Sequence, residues 1–523
     1  MLTYDDVPRA FNLASYFIDR NLEEGRSERT ALIGPGGPTT YAELAALTNR
    51  CGNILRELGV RAEERVLLVL ADSIEFVALW YGAQKIGAVT AEAYTFLQPK
   101  DYAYYLDYTR AGVVVVDETT LAPVREAAAA SRWLRHVLVA GGHEELGPNE
   151  VSFGALVAMA PDELEPAPTT PDDISIWKFT TGSTGAPKAA VHPTHSPLLS
   201  FDWYARGVLG IREDDVVLPV PKLFFGYARD LTALYPFGVG GTGIVFPERT
   251  TPERIFELVA RHEPSILVQV PTMMAAMAAH PDAPEQDLSS LRLCTSAGEA
   301  LPTELYERWR DTFGVEVLDG IGSSEAYHIY ISNRPGRVRP GSVGEVVPGY
   351  RARVVDEAGH DLPDGEVGTL WLEGDTAALL YWNEHEKTKQ TFSGDLVKTG
   401  DLFIRDADGY FWFRGRGDQL LKIGGVWIAP AEVEQCLVAH PDVVECAVVG
   451  YEQEGLTLTR AHVVLRENAE ASAELAAALQ EYVRAKLSPH KYPRDIRFTA
   501  ALPKTPSGKI DRRALVDRVE ATA

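Results

Sequence analysis

The chain is poor in cysteine. Cys51, Cys294, Cys436 and Cys446 are scattered through 523 residues and form no CxxC pair. That spacing excludes a disulfide framework or a zinc knuckle and reads as reduced, buried thiols. Positive charge is also in deficit: 50 lysines and arginines stand against 74 aspartates and glutamates, a formal charge of −24. Such a balance argues against nonspecific nucleic-acid binding and against attraction to an anionic membrane, while leaving room for a local basic pocket. No uninterrupted apolar stretch is long enough to span a bilayer. The opening residues Met1–Asp6 lack the basic segment and apolar run of a signal peptide, so the cytoplasm is the expected location. A long internal repeat is missing too. So is the Gly-x4-Gly-Lys-Ser/Thr phosphate loop. Gly238–Gly243 is formally Gly-x-Gly-x-x-Gly, but it opens into the apolar run Ile244–Phe246 rather than into a helix, and reads as a turn. His192 and His195 stand three apart with no carboxylate or third ligand nearby, so no metal site is expected there.

What is present is a globular composition, 46% hydrophobic and 24% charged, in a chain long enough for two to four structural units. Thr40 and Glu43 fit a capping box, and Leu44, Leu47, Cys51, Ile54 and Leu58 recur near helical spacing up to Gly59. Val66–Leu70 is a continuous apolar strand. Asp72 then caps a second helix that ends near Gly87, and Ala88–Ala91 begins another strand. Val113–Val116, Val137–Val139, Val216–Val220, Ile244–Phe246, Ile266–Val270 and Leu291–Thr295 continue the series. Strands alternating with helices predict an α/β fold of parallel-rich sheets with packed helices. Residues 141–173, rich in Gly, Pro, Asp and Glu, read as a surface excursion. From about residue 340 the texture is β-rich, with strands at Val343–Tyr350, Ala352–Val355 and Gly368–Glu373 and a hairpin across Phe403–Phe413. The end piece alternates strand Leu420–Ile423, helix Ala431–Ala439, strands Val443–Val449 and His462–Leu465, a helix across 473–487 and strand Ile496–Thr499. It reads as a small α+β domain.

The chain is organised around residues 174–192. The apolar run Ile174–Phe179 reads as a buried strand leading into Thr180-Thr-Gly-Ser-Thr-Gly-Ala-Pro-Lys188. Gly182 and Gly185 let backbone N–H groups turn toward an anion, Thr180, Thr181, Ser183 and Thr184 add hydroxyls, and Lys188 adds a full positive charge. That combination suits a polyphosphate.

The order Thr-Thr-Gly-Ser-Thr-Gly-x-Pro-Lys resembles the phosphate loop of the acyl-adenylate-forming enzymes: acyl-CoA synthetases, luciferases and peptide-synthetase adenylation domains. Five further segments follow in the family's order. Ser296-Ala-Gly-Glu-Ala-Leu-Pro302 is similar to the segment lining the adenine pocket, which implicates Gly298, Glu299 and Ala300. Asp319-Gly-Ile-Gly-Ser-Ser-Glu325 resembles the next motif and adds Asp319, Gly320, Ile321 and Gly322 to the nucleotide site. Its Ser324 stands where threonine is commoner and keeps the hydroxyl expected to meet the α-phosphate or acyl carboxylate. The resemblance assigns Mg²⁺ to Glu325, a hard cation on a carboxylate. Thr399-Gly-Asp401 matches the ribose-binding motif, and Arg416 the arginine that also meets the ribose. Asp418 falls at the family's hinge. Leu421-Lys-Ile-Gly-Gly-Val-Trp427 resembles the segment near a pantetheine arm, with Lys422, Gly424 and Gly425. Pro503-Lys-Thr-Pro-Ser-Gly-Lys509 is similar to the catalytic loop, whose last lysine bridges acyl carboxylate and α-phosphate.

Within that family, Lys222-Leu-Phe-Phe-Gly-Tyr227, the stretch through His328 and Ser332-Asn-Arg-Pro-Gly336 resemble benzoate-CoA and 2-aminobenzoate-CoA ligases. The resemblance makes Phe225, Gly226, Tyr227, Ile321 and His328 the aryl pocket. Ala228-Arg-Asp230 departs from the benzoate pattern, where small and apolar residues are usual. Arg229 and Asp230 can pair with each other, face solvent or accommodate a ring substituent. The implied organisation is an N-terminal domain over 1–417 that binds ATP and the aryl acid, and a mobile C-terminal domain over 418–523 that carries Lys509. The implied reaction is ATP- and Mg²⁺-dependent formation of an aryl-adenylate followed by transfer to coenzyme A. A carrier-protein phosphopantetheine is the alternative acceptor, and a homodimer is compatible with the family. An ADP-releasing kinase needs a standard phosphate loop, which is absent. Retention of Lys509, Glu325, Asp401 and Arg416 argues against an inactive binding protein.

Overall fold

The computed structural model describes residues 1–142, 145–180, 186–417, 421–423, 426–453, 456–466, 469–487, 491–505 and 510–520. By Cα packing the chain forms two compact units, one of residues 1–301, 305–352 and 372–397, the other of 302–304, 353–371 and 398–523.

The first unit holds two large sheets. One has eight strands in the order Leu380–Tyr381, Lys188–Pro193, Ile174–Thr180, Val89–Glu92, Arg65–Val69, Val113–Val116, His136–Val139 and Glu150–Ser152. Its central pairings are parallel. Val113–Val116 is buried at every position, as a strand covered on both faces must be. The other sheet has nine strands and runs Glu345–Val346, Ile329–Ser332, Val317–Gly322, Leu293–Ser296, Ile266–Gln269, Val216–Pro219, Thr242–Ile244, Thr30–Gly34, Gly37–Thr40. It too is parallel through its middle and antiparallel at its edges. The mixed α/β architecture expected from the alternation is therefore present. All four cysteines are buried and unpaired.

Local sequence sets the helix starts. Helix Tyr41–Glu57 begins on the capping box: the Glu43 N–H donates to the Thr40 hydroxyl at 3.2 Å, and the Thr40 N–H donates to the Glu43 carboxylate at 2.8 Å. The next helix, Ile74–Lys85, corrects the expectation that Asp72 caps it. Ser73 is the cap, its hydroxyl accepting from the Phe76 N–H. Asp72 instead accepts from the Leu223 N–H at 2.9 Å, and burial pushes its carboxyl up to about 6. Within the stretch expected to be a surface excursion, Glu150–Ser152 adds an edge strand and Phe153–Met159 is a helix. Among Val343–Tyr350 only Glu345–Val346 is strand. Gly238 ends a 3-10 turn, and Thr242–Ile244 is a strand, so the glycine run leads into β structure and not a helix.

In the second unit, residues 401–405 of strand Leu396–Arg405 pair antiparallel with strand Phe411–Arg416, Asp401 opposite Arg416. Further on, Val443–Gln453, Leu456–Leu465 and Asp495–Phe498 make a three-stranded sheet, antiparallel and then parallel. Helices Pro430–Val438 and Ala473–Lys486 close its core through Val433, Leu437, Leu479 and Val483. Among the described residues no helix is long and apolar enough to cross a membrane.

Candidate functional site

The aromatic wall expected at Phe225–Tyr227 forms the start of helix Gly226–Ala233, with Phe225 as its N-cap. Tyr227 turns inward, and its hydroxyl donates to Thr295 Oγ1 at 2.8 Å. Thr295 lies on strand Leu293–Ser296 of the nine-stranded sheet, one residue before Ser296. His328 sits against the same residue: its Nε2 lies 3.3 Å from the Tyr227 carbonyl oxygen, which assigns the ring proton to Nε2 as donor. Three tyrosine rings surround the imidazole, Tyr235 at 5.0 Å, Tyr204 at 5.5 Å and Tyr227 at 5.6 Å between centroids. Burial brings His328 down to about 3, so it is neutral at physiological pH. Tyr227 and His328 are thus brought together as expected. Phe225 packs on Phe224 at 4.9 Å and Tyr94 at 5.2 Å, continuing the aromatic wall.

Ile321 lies on the hairpin formed by Val317–Gly322 and Ile329–Ser332, opposite Ile331. Glycine is required on this hairpin. A Cβ at Gly320 would lie 2.8 Å from the Ile331 carbonyl oxygen, and one at Gly322 would lie 2.6 Å from that of His328. The turn that follows carries Ser324 and Glu325, with the Ser323 hydroxyl capping it and Tyr327 at a positive φ of 74°. Ser324 is held from two sides. Its hydroxyl donates to the Phe179 carbonyl at 3.3 Å, and its own carbonyl lies 2.6 Å from His192 Nε2. Burial brings His192 down to about 3, so this imidazole is also a neutral donor.

Glu325 accepts a hydrogen bond from the Tyr381 hydroxyl at 2.6 Å. The ammonium of Lys188 lies 4.9 Å from the centre of the same Tyr381 ring. Lys188 in turn faces Thr180 across the antiparallel pair that brackets the expected phosphate loop. Tyr381 therefore links the expected phosphate lysine with the expected metal carboxylate. Sequence reasoning missed it because a lone tyrosine after an apolar run has no motif. Thr181, Gly182, Ser183, Thr184 and Gly185 lie outside the described residues, as do Asp418, Gly424, Gly425 and Lys509; of Lys422 only the backbone is described.

Gly298, Glu299 and Ala300 are exposed just beyond the C-terminal end of strand Leu293–Ser296, with Gly298 at φ +89°. Thr272 donates to Glu299 at 2.6 Å. Ser296 is in register with Asp319 on the adjacent parallel strand, and burial pushes the Asp319 carboxyl well above the usual range. C-terminal strand ends of parallel sheets are where such folds gather their ligands. In the second unit, Arg416 donates to Asp401 Oδ1 at 3.0 Å, and Gly400 at φ +75° makes the turn between Thr399 and Asp401.

Behind the aromatic wall lies a buried charge network. The Lys178 ammonium donates to Asp230 at 2.5 Å and to the Tyr327 carbonyl at 2.6 Å, and it lies over the Tyr327 ring at 3.5 Å from its centre. Arg229 donates to Asp230 at 2.8 Å and to Glu92 at 2.5 Å. Arg229 and Asp230 therefore pair with each other, as one expectation had it, and both are buried rather than facing solvent. Two cations and two carboxylates balance. Burial pulls Lys178 down to about 8 against the pull of Asp230. Burial alone would raise the Asp230 carboxyl, but Arg229 and Lys178 hold it below its ordinary value. The signal for Lys178 was present: one charge inside the apolar run Ile174–Phe179 needs a buried partner.

Residues 18–382 match the AMP-binding enzyme family, and residues 432–509 match the AMP-binding enzyme C-terminal domain. A protein of Thauera aromatica named benzoate–CoA ligase is 43% identical over 510 residues, which cover 97% of this chain and 96% of the relative. The crystal structure of the anthranilate CoA ligase AuaEII in complex with anthranoyl-AMP superposes with a TM-score of 0.94 at 37% identity, covering 99% of this chain and 100% of that one. A benzoate CoA ligase from Burkholderia xenovorans gives a TM-score of 0.89 at 41% identity, over 97% of this chain and 99% of that one. The phosphate-loop strand pair, the Ser324–Glu325 turn and the aromatic wall thus sit in a chain that belongs to the AMP-binding enzyme family.

Proposed function

We propose that this chain is an AMP-forming aryl-CoA ligase. ATP and an arylcarboxylate such as benzoate or 2-aminobenzoate give an aryl-adenylate and pyrophosphate. The thiol of coenzyme A then attacks the adenylate carbonyl, and AMP leaves. The observation that carries this reading is the junction of Tyr227 and His328 only three residues beyond Glu325. In this reading the junction belongs to an aromatic wall for the acid, close in the chain to the carboxylate and serine expected to serve the phosphates. Relatives named for benzoate and anthranilate support the acid class, and their CoA ligase names disfavour a carrier-protein acceptor. Cytoplasmic operation is part of the proposal.

Thr180, Thr181, Gly182, Ser183, Thr184, Gly185 and Lys188 would hold the triphosphate, and Gly298, Glu299, Ala300, Asp319, Gly320, Ile321 and Gly322 the rest of the nucleotide. Asp401 and Arg416 would meet the ribose. The Asp418 hinge, the pantetheine contacts of Lys422, Gly424 and Gly425, and the catalytic role of Lys509 rest on the family resemblance. Among the described residues no group of three His, Cys, Asp or Glu side chains is built to hold a metal by itself. A single carboxylate fits Mg²⁺, which is commonly held by one or two carboxylates together with substrate phosphates. Glu325 is that carboxylate in this reading, and Mg²⁺ would neutralise phosphate charge when bound.

Tyr381→Phe should test this local arrangement. A hydrogen bond to a charged group is worth about 1.5–3 kcal/mol. The Mg²⁺ concentration giving half-maximal pyrophosphate release should therefore rise roughly tenfold or more. An unchanged Mg²⁺ dependence would contradict the role of the Tyr381–Glu325 pair. The function itself is tested by kcat/KM across benzoate, its amino and hydroxy derivatives, and aliphatic acids. An aromatic acid should lead; preference for an aliphatic acid would contradict the proposal. A value for benzoate far above every substituted acid would exclude a substituted benzoate as the preferred substrate.

A further inference from the structure

The charged network behind the aromatic wall has no part in the chemistry assigned so far. Its central group is Lys178, whose side chain is 5% exposed and whose carboxylate partner Asp230 is fully buried. The three segments that meet at Lys178 are distant in sequence. Lys178 itself lies on strand Ile174–Thr180, which leads into the phosphate loop. Asp230 lies on helix Gly226–Ala233, whose first turn carries Gly226 and Tyr227. The Tyr327 carbonyl belongs to the turn just past Ser324 and Glu325, where positive φ at Tyr327 marks a backbone held by its surroundings. Contact with the pocket wall is close: a Cβ added at Gly226 would meet the Lys178 Nζ at 2.9 Å.

The Tyr327 ring faces the ammonium directly, 3.5 Å from its centre, and charged and titratable groups of other segments stand around it. Asp230 and Arg229 come from the pocket helix, Glu92 from the neighbouring strand, and the neutral imidazoles His192 and His328 from the antiparallel strand and the Tyr327 turn. Arg229 pairs with Glu92 and Asp230 at once, which fixes the helix to strand Val89–Glu92 as well. The network is thus a clamp among the segment that leads to the nucleotide, the wall for the acid and the turn that carries the polar site groups.

We infer that Lys178 is a positioning residue for adenylation, holding the aryl-acid wall in register with the strand that enters the phosphate loop. This rests on the function proposed above. In adenylation the carboxylate and the α-phosphate belong to separate molecules, so their alignment depends on how the protein holds the two segments. In thioester formation the acyl and phosphate groups are already joined in one adenylate, so the same alignment matters far less.

The two half-reactions separate this role from a purely structural one. Lys178→Met should reduce kcat for aryl-adenylate formation, read as pyrophosphate release, about 10–100-fold. The KM for ATP should change much less. Transfer to coenzyme A from preformed aryl-adenylate should stay within about threefold of wild type. If the methionine variant does not fold, Asp230→Asn keeps an oxygen for the ammonium while removing its charge, and should show the same imbalance at smaller size. Equal losses in both half-reactions, as a reduced folded fraction would produce, or no loss of adenylation, would overturn the inference. Wild-type protein that forms no aryl-adenylate would instead contradict the function on which the inference rests.

Discussion

Lys509→Ala should slow aryl-adenylate formation by about 10²–10³-fold while leaving thioester formation from preformed aryl-adenylate nearly intact. As the acid oxygen attacks phosphorus, negative charge builds across the carboxylate and the α-phosphate. A fixed ammonium that meets both stabilises the transition state more than the ground state, and loss of one such donor carries a penalty of that size. Thioester formation has a different electrophile, the acyl carbonyl, so it does not share the requirement. Pyrophosphate release measures the first step, and aryl-CoA formed from synthetic adenylate measures the second. Equal loss in both would contradict the assignment of Lys509.

Arg229→Ala should cause the largest loss of stability among single changes near the pocket. The guanidinium is 3% exposed and neutralises Glu92, 4% exposed, and Asp230, fully buried. Its removal leaves two carboxylates with only Lys178 to balance them. Burial already raises the Glu92 carboxyl, with Arg229 opposing that rise. Breaking a buried ion network by deleting one member costs about 3–5 kcal/mol, because the stranded charge has no water to return to. Arg229 also lies over the Trp80 ring at 4.9 Å, so packing is lost with the charge. The urea midpoint of the variant, followed by circular dichroism, should fall sharply. A shift corresponding to less than about 1 kcal/mol would show that Arg229 is not integral to the network.

How much was legible follows the range of the interactions concerned. The Thr40–Glu43 capping box and the fully apolar strand Val113–Val116 depend on neighbours within a few residues, and both formed as expected. Asp72 and Ser73 are equally good caps by local chemistry; a contact 151 residues away, to the Leu223 N–H, drew Asp72 from the helix end. The Tyr227–His328 junction was legible only through resemblance, since the two residues are 101 apart. The partners of Lys178 were hidden for the same reason. They are 52 and 149 residues away, and a single charge in an apolar strand does not announce which carboxylate will meet it. Tyr381 meets Glu325 across 56 residues and belongs to no motif. Gly320 and Gly322 were noticed as parts of a motif, but their physical necessity appears only in the hairpin, where backbone carbonyls occupy the space a side chain would need.

The central claim is that this chain joins an aromatic acid to coenzyme A through an adenylate. Incubation of the protein with ATP, Mg²⁺, coenzyme A and either benzoate or 2-aminobenzoate, with nucleotide and thioester products quantified together, tests it most directly. AMP and a single aryl-CoA should appear in equal amounts. Release of ADP, or AMP without any aryl-CoA, would contradict it.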